Sequence, residues 1–288
     1  MSADIGPSHQ VNWVGGVILT LVAATVLGGV GMVGKAVLDL LPERSVNAER
    51  GGRPGAVNTG VPEDVKLKAA GAISVTRKGT VIEGLDIHGA LDIYADDVVV
   101  RNCRIRGRDF WGIRVHDGVS GVRVEDSTIA PSTASSQMDG IRAEGAVTAV
   151  RLDITRTSDG IKAGSGTRVE ASWIHGLTNG PGDHSDAVQI LSGTGISLVG
   201  NTLEGASNAA VMASSEYGSI NGLAIEGNWL AGGNFTLNLR QGPYGPLKGL
   251  RVSGNRFTKT YKHGPAAIDG HFEQSGNVWA ADDKPVKL

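Results

Sequence analysis

A short pattern of alternating apolar and polar positions recurs along the chain from about residue 80 onwards. Each copy has an alternating apolar stretch, a small or polar corner and a further apolar pair, with copies about 24 residues apart. The clearest copies span residues 98–105, 122–129, 196–203, 223–230 and 250–257. Such alternation predicts short strands with one buried face, and a repeat of this length predicts a solenoid. We therefore expect an all-β chain of about nine stacked coils of parallel strands.

Asparagine recurs at one corner of this repeat. The four residues in the same phase are Asn201, Asn228, Asn255 and Asn277, and each follows a glycine. Asparagine and glycine both tolerate the left-handed backbone that a tight corner requires. Stacked side-chain amides can also hydrogen-bond from coil to coil, so we predict a structural role for this set.

An uncharged apolar segment precedes the repeats. Residues 11–34 contain no charged side chain, and as a helix they would extend about 36 Å, enough to cross a bilayer. The sequence therefore predicts an N-terminal tail at 1–10, a transmembrane helix at 11–34, a linker at 35–62 and the β-helix at 63–288. A cleaved signal peptide is the alternative, but no basic residue precedes the segment and no small-residue cleavage site lies close to it.

The orientation of this segment is ambiguous. Four basic residues follow it, namely Lys35, Arg44, Arg50 and Arg53. By the positive-inside tendency they would place the large C-terminal part in the cytoplasm. An extracellular location for this part would require the opposite orientation, and the sequence leaves the conflict open.

Composition supports a folded, repetitive chain with a narrow interior. Glycine makes up 43 of 288 residues, about twice the usual share, and only 13 residues are aromatic. The net charge of −2, with no basic stripe, argues against nucleic acid as a partner. Cys103 is the only cysteine, which excludes an internal disulfide and a cysteine-rich metal site.

A second set of strand patterns follows the corners, at 112–115, 140–143, 160–163 and 187–190 among others. With this set, the chain resembles the right-handed parallel β-helix proteins of the pectate-lyase-like superfamily, in particular extracellular actinobacterial and phage members. The resemblance covers about residues 56–288. Its matching residues are Asn-Thr-Gly-Val-Pro at 58–62, Gly-Thr-Val-Ile-Glu-Gly at 79–84, His-Ser-Asp-Ala-Val-Gln at 184–189 and Gly-Asn-Val-Trp at 276–279.

This resemblance implies a fold more specifically than an activity. It implies a single right-handed parallel β-helix that handles a polysaccharide. The superfamily includes lyases, glycoside hydrolases, epimerases, esterases and tailspikes, so several activities stay open.

Two columns of polar residues emerge when the second strands are aligned. The first contains Asp139, Asp159 and Asp186, and the second, three residues further on, contains Arg114, Arg142, Lys162 and Gln189. Neighbours in one column would lie about 4.8 Å apart, so like charges need the other column or a cation for compensation. Positions three apart face opposite sides of a regular strand, unless a bend at the strand entrance returns them to one side. The sequence leaves both arrangements open.

One hypothesis is cleavage of an acidic polysaccharide by β-elimination. Lys162, beside Arg142 on the next coil, would act as the base, and His184 would protonate the leaving oxygen. Arg142 and Asp186 are counted with them as catalytic residues, and Asp159, Asp183 and Asp186 would hold a Ca²⁺ ion that neutralises the substrate carboxylate.

Substrate-binding roles in this hypothesis fall to Arg114, Gln189 and Trp111. A hydrolase that uses Asp159 and Asp186 as its two carboxylates is an alternative. Another is a binding module without turnover, with Trp111, Phe110, Tyr217 and Phe235 as candidate stacking rings. A surface or phage spike that assembles as a homotrimer is a third.

The aspartates also have a purely structural interpretation. They would cap the turns at the strand entrances, and the arginines and lysine would pair with them on a solvated face.

Overall fold

The computed structural model describes residues 52–107, 110–135 and 137–288. Its strands, in chain order, are β1 Lys68–Ala70, β2 Ile73–Val75, β3 Val81–Glu83, β4 Leu85–Ile87, β5 Leu91–Ile93, β6 Val99–Arg101, β7 Arg104–Ile105, β8 Trp111–Val115, β9 Val122–Glu125, β10 Thr128–Ile129, β11 Asp139–Ala143, β12 Val147–Val150, β13 Asp153–Thr155, β14 Ile161–Ala163, β15 Arg168–Glu170, β16 Trp173–His175, β17 Asp186–Ile190, β18 Gly193–Val199, β19 Thr202–Leu203, β20 Ala209–Ser214, β21 Ile220–Glu226, β22 Trp229–Leu230, β23 Phe235–Arg240, β24 Arg251–Ser253, β25 Arg256–Phe257, β26 Gly264–Ile268, β27 Glu273–Ser275 and β28 Val278–Trp279.

These strands form three parallel sheets that run the length of a β-helix. Sheet 1 contains ten strands in the order β1-β4-β7-β10-β13-β16-β19-β22-β25-β28. Sheet 2 contains the nine strands β2-β5-β8-β11-β14-β17-β20-β23-β26, and sheet 3 contains the nine strands from β3 to β27 at the same interval. The chain therefore passes through all three sheets once per coil, and seven coils have a complete coil on both sides. The predicted parallel β-helix is confirmed.

The interior consists of stacked aliphatic side chains. On sheet 1 the inward positions of successive coils are all inaccessible to solvent, and they include Ile87, Ile105, Ile129, Ile154 and Ile174. The outer neighbours in the same strands are polar or partly exposed, as the period of two requires. A narrow interior of this kind is filled by β-branched residues and leaves little room for rings, which explains the low aromatic content.

The asparagine ladder is confirmed. The side-chain amide of Asn201 donates to Oδ1 of Asn228 at 2.9 Å, Asn228 donates to Asn255 at 3.0 Å, and Asn255 donates to Asn277 at 3.0 Å. Each of these oxygens also accepts a backbone N–H from the preceding coil. The left-handed residue is the one before the asparagine, since Gly200 has a φ of 63°. The asparagine itself therefore serves as a buried hydrogen-bonding group.

The predicted fold class needs one correction, which concerns its transmembrane helix. Across residues 52–107, 110–135 and 137–288, no helix is long and apolar enough to span a lipid bilayer. The segment predicted to span, 11–34, lies outside the described residues, as do the tail at 1–10 and most of the linker. The fold class is therefore restated as an all-β parallel β-helix.

The end of the predicted linker packs on the outer face of sheet 1. We call residues 53–61 the strap. The N–H of Gly60 donates to the carbonyl of Arg151 at 2.8 Å, and the N–H of Val61 donates to Oγ1 of Thr128 at 3.1 Å. At the other end of the strap, Arg53 forms an ion pair with Glu204 of a later coil. These contacts hold the strap against strands that lie far from it in sequence.

Candidate functional site

The outer face of sheet 2 presents one polar side chain per coil over five consecutive coils. These residues, which we call the sheet 2 row, are paired in register from strand to strand: Asp92, Arg114, Arg142, Lys162 and Gln189. In each strand the positions on either side of the row residue point inward and are buried. The alternation along the strands therefore produces a continuous polar stripe along the rod, as the aligned second strands predict.

The two columns predicted from the sequence meet on the same face. Nζ of Lys162 lies 3.1 Å from Oδ1 of Asp139 and 3.3 Å from Oδ2 of Asp159, which is three residues earlier in the chain. Strict alternation is broken before Arg142, because Gly140 and Ile141 both face the interior. At Gly140 a Cβ would lie 2.6 Å from Ile154 and would also contact the carbonyl oxygen of Gly160. Glycine is therefore required where the chain turns into the strand.

The three aspartates are buried behind this row. The side chains of Asp139 and Asp159 are each 5% exposed, and Asp186 is fully buried. Oδ1 of Asp159 accepts the backbone N–H of Asp186 at 2.8 Å, which joins the two adjacent coils. Asn208 donates to Oδ1 of Asp186 at 2.8 Å, and Gln189 donates to Oδ2 at 3.4 Å.

Burial changes the acidity of two of these carboxyl groups. Loss of solvation raises the pKa of Asp139 to about 6, a change that the cation of Lys162 opposes. Loss of solvation, reinforced by the negative charge of Asp159, raises the pKa of Asp186 to about 7. Near neutral pH, Asp139 and Asp186 are therefore each protonated in a fraction of the molecules.

The arginines of the sheet 2 row share one acidic partner, Glu144. Arg114 binds it in a bidentate manner at 2.9–3.1 Å, whereas Nε of Arg142 lies 3.7 Å from it. The guanidinium of Arg114 also lies 4.8 Å from the centre of the Trp111 ring. The backbone of Trp111 is in register with that of Asp139 on the next coil.

Two predicted site residues are exposed, unlike the buried aspartates, although the charge of His184 acts on Asp186 and opposes the rise in its pKa. Asp183 and His184 are exposed in the loop before β17, and the N–H of Asp183 closes a turn onto the carbonyl of Gly180 at 3.1 Å. Within the described ranges, no three His, Cys, Asp or Glu side chains are grouped so that they could hold a metal ion. The residues present thus do not form a recognisable Ca²⁺ site, and that ion stays a prediction.

Two partners in the site were not identified as site residues from the sequence. Glu144 lies two positions after Arg142, so the period of two already places both side chains on one face. Asn208 lies in the turn before β20, where no strand alternation indicates the direction of its side chain, and only the stacking of coils brings it to Asp186.

Comparison with protein-family models, curated proteins and solved structures finds no match to this chain. The parallel β-helix rests on the structure itself, and membership of the pectate-lyase-like superfamily stays an expectation from sequence resemblance.

Proposed function

We propose that this β-helix binds a polysaccharide along the outer face of sheet 2. The observation that carries the proposal is the sheet 2 row, in which five consecutive coils each present a polar side chain in register. Strands of neighbouring coils are about 4.8 Å apart, so this row offers hydrogen-bonding groups at regular intervals along a rigid surface. An extended polymer with repeated hydroxyl groups complements such a surface.

The groups beside this row suit sugars. The side chain of Arg142 is 40% exposed, and its Nε lies 3.7 Å from Oε1 of Glu144, which is longer than a hydrogen bond, so this N–H group is available to a ligand. Aromatic rings supply apolar faces that can pack against sugar C–H groups. Phe110, beside Trp111, is 59% exposed, and Tyr94, which stacks on His116 at 3.8 Å, is 50% exposed.

The contacts of Lys162 favour binding over β-elimination. A catalytic base must take a proton from the substrate and must be available to it. Lys162 instead bridges Asp139 and Asp159, and its use as a base would leave two buried carboxylates without their cation. We therefore propose that this lysine positions the aspartates and contacts the bound chain.

The test is polysaccharide binding by the full chain, measured by affinity electrophoresis and calorimetry with neutral and acidic polymers. Arg142→Ala should weaken binding of the preferred polymer by about tenfold, because it removes charge-assisted hydrogen bonds to the ligand. Arg251→Ala is the matched control, since Arg251 is an exposed arginine on sheet 3 that contacts one glutamate, Glu226, at 3.4 Å. If both variants bind like the unsubstituted chain, the sheet 2 face is not the binding surface.

Glycoside hydrolysis is a second candidate, favoured by the raised pKa of Asp186 beside Asp159. A protonated acid next to an ionised carboxylate is the pair that such enzymes use. Because Asp186 is fully buried, the side chains around it would have to move before a sugar oxygen could reach it. Hydrolysis would be supported if the chain releases reducing ends from the polymer and Asp159→Asn abolishes this release. A polymer that binds and stays intact would rule hydrolysis out. Absorbance of unsaturated uronates in the same samples would instead indicate a lyase.

A further inference from the structure

Asparagine is followed directly by glycine at two places in the sequence, 179–180 and 221–222. In such a pair the backbone nitrogen of the glycine can attack the side-chain amide carbon of the asparagine, because glycine has no Cβ to hinder the approach. The attack needs a glycine N–H that is not engaged in a hydrogen bond and a backbone that can change its angles. The two pairs differ in both respects.

The pair at 221–222 is fixed within sheet 3. Asn221 lies in β21, where it is in register with Thr194 of the preceding coil and with Lys248 of the following one. The N–H of Gly222 donates to the carbonyl of Lys248 at 2.8 Å. Attack by this nitrogen therefore requires that the contacts between these coils open first.

The pair at 179–180 lies in the loop that connects β16 to β17, and Asn179 is exposed there. Among the residues that the structure describes, the N–H of Gly180 has no hydrogen-bond acceptor. The N–H of Thr178 donates to the carbonyl of Thr157 at 2.8 Å, and the N–H of Asp183 donates to the carbonyl of Gly180 at 3.1 Å. These contacts hold the loop on either side of the pair without engaging the nitrogen that would react.

We propose that Asn179 is a site of spontaneous covalent modification by deamidation. The nitrogen of Gly180 loses its proton and bonds to Cγ of Asn179, and the side-chain nitrogen leaves as ammonia, which gives a five-membered cyclic imide. Water then opens this ring at either carbonyl, so the product is aspartate or isoaspartate.

The product adds one negative charge to a chain whose net charge is −2. The new carboxylate stands in the loop that leads into β17, the strand that contains Asp186 and Gln189 of the candidate site. Isoaspartate also lengthens the loop backbone by one methylene group. The modification itself does not depend on the proposed function, but it changes the charge and the geometry of a loop beside the proposed binding face.

Peptide mapping of the folded full chain, incubated at mildly alkaline pH, tests the proposal. Cleavage after glutamate places Asn179 in the fragment 171–204 and Asn221 in the fragment 217–226. The first fragment should gain one dalton at Asn179 and yield two products. The second should react at least about tenfold more slowly, because β21 has to open before the attack. In guanidinium chloride the two pairs should react at similar rates, which controls for the sequence around them.

Three results would overturn the proposal. The first is an Asn179 that stays intact in the folded chain while it reacts in guanidinium chloride. The second is an Asn221 that reacts as fast as Asn179 in the folded chain. The third is a gain of mass in the fragment 171–204 that persists in Asn179→Gln, since glutamine would need a less favourable six-membered ring. Gly180→Val should slow the reaction several-fold, because its branched side chain hinders the attacking nitrogen. Thermal unfolding confirms that each variant is folded, and polysaccharide binding by the unmodified chain tests the proposed function separately.

Discussion

At the scale of single residues, the aspartate cluster shows that stacked coils can bury acidic side chains, which usually lie on a protein surface. Arg142 and Lys162 each stand between two buried apolar residues of their strand, and both lie on the outer face of sheet 2. Alternation alone does not predict that Asp139 and Asp159 lie on the same side as Lys162, because that depends on how Gly140 packs against the next coil. The pKa values follow from the burial that this packing produces.

These raised pKa values predict an unusual dependence of stability on pH. A carboxyl group whose pKa is higher in the folded state binds its proton more tightly there. Its contribution is therefore intact below its unfolded pKa, near 4, and is lost as pH rises through the folded value of about 7. Between pH 5 and pH 8, ionisation of Asp186 should lower the free energy of unfolding by roughly 3 kcal/mol at most.

Asp186→Asn tests this prediction because asparagine keeps the shape and one acceptor but does not ionise. Denaturant unfolding at pH 5 and pH 8 should show that the variant gains stability relative to the unsubstituted chain as pH rises. Asp64→Asn, at an exposed position, is the control and should leave the pH profile unchanged. Parallel profiles for the unsubstituted chain and Asp186→Asn would contradict the prediction.

At the scale of elements, the predictability of this fold follows from its repetition. The strands, the buried rows and the asparagine ladder recur at fixed phase, so each copy supports the assignment of the others. The strap does not recur, and its contacts join residues far apart in sequence, such as Val61 and Thr128. Local alternation contains no information about such a contact. The sequence therefore indicates the Asn-Thr-Gly-Val-Pro segment only through its resemblance.

The asparagine ladder should contribute strongly to stability at each of its positions. Oδ1 of Asn228 accepts two N–H groups of Asn201, and its Nδ2 donates to Leu198 and Asn255. Asn228→Ala would leave these buried partners unsatisfied, so we expect it to lower the free energy of unfolding by about 2–4 kcal/mol. Urea unfolding measures this change.

The matched control for the ladder is Asn221→Ala, at a half-exposed asparagine of β21. It should change the free energy of unfolding by less than about 0.5 kcal/mol. Equal losses in the two variants would show that the ladder amides contribute no more than an ordinary polar side chain.

At the scale of the whole molecule, the strap connects coils that do not touch one another. In a solenoid each coil contacts only its neighbours, so local unfolding can spread from one end. The strap contacts Thr128 on β10 near one of its ends and Glu204, just after β19, at the other. The guanidinium of Arg53 also lies 5.1 Å from the centre of the Trp229 ring on β22. We therefore expect the strap to make unfolding of these coils more cooperative.

Gly60→Ala tests the strap directly. Gly60 has a φ of 77°, and a Cβ there would lie 2.6 Å from Oγ1 of Thr128 and 2.9 Å from Cβ of Asp153. The substitution should lower stability by about 1–3 kcal/mol and should speed hydrogen exchange of the Val61 amide, which donates to Thr128, while the β-sheet circular dichroism is retained. Gly55→Ala is the control within the same segment, because a Cβ there meets nothing within 4 Å. If both variants unfold alike and exchange the Val61 amide at the same rate, the strap does not hold these coils together, and their cooperativity comes from the stacked sheets alone.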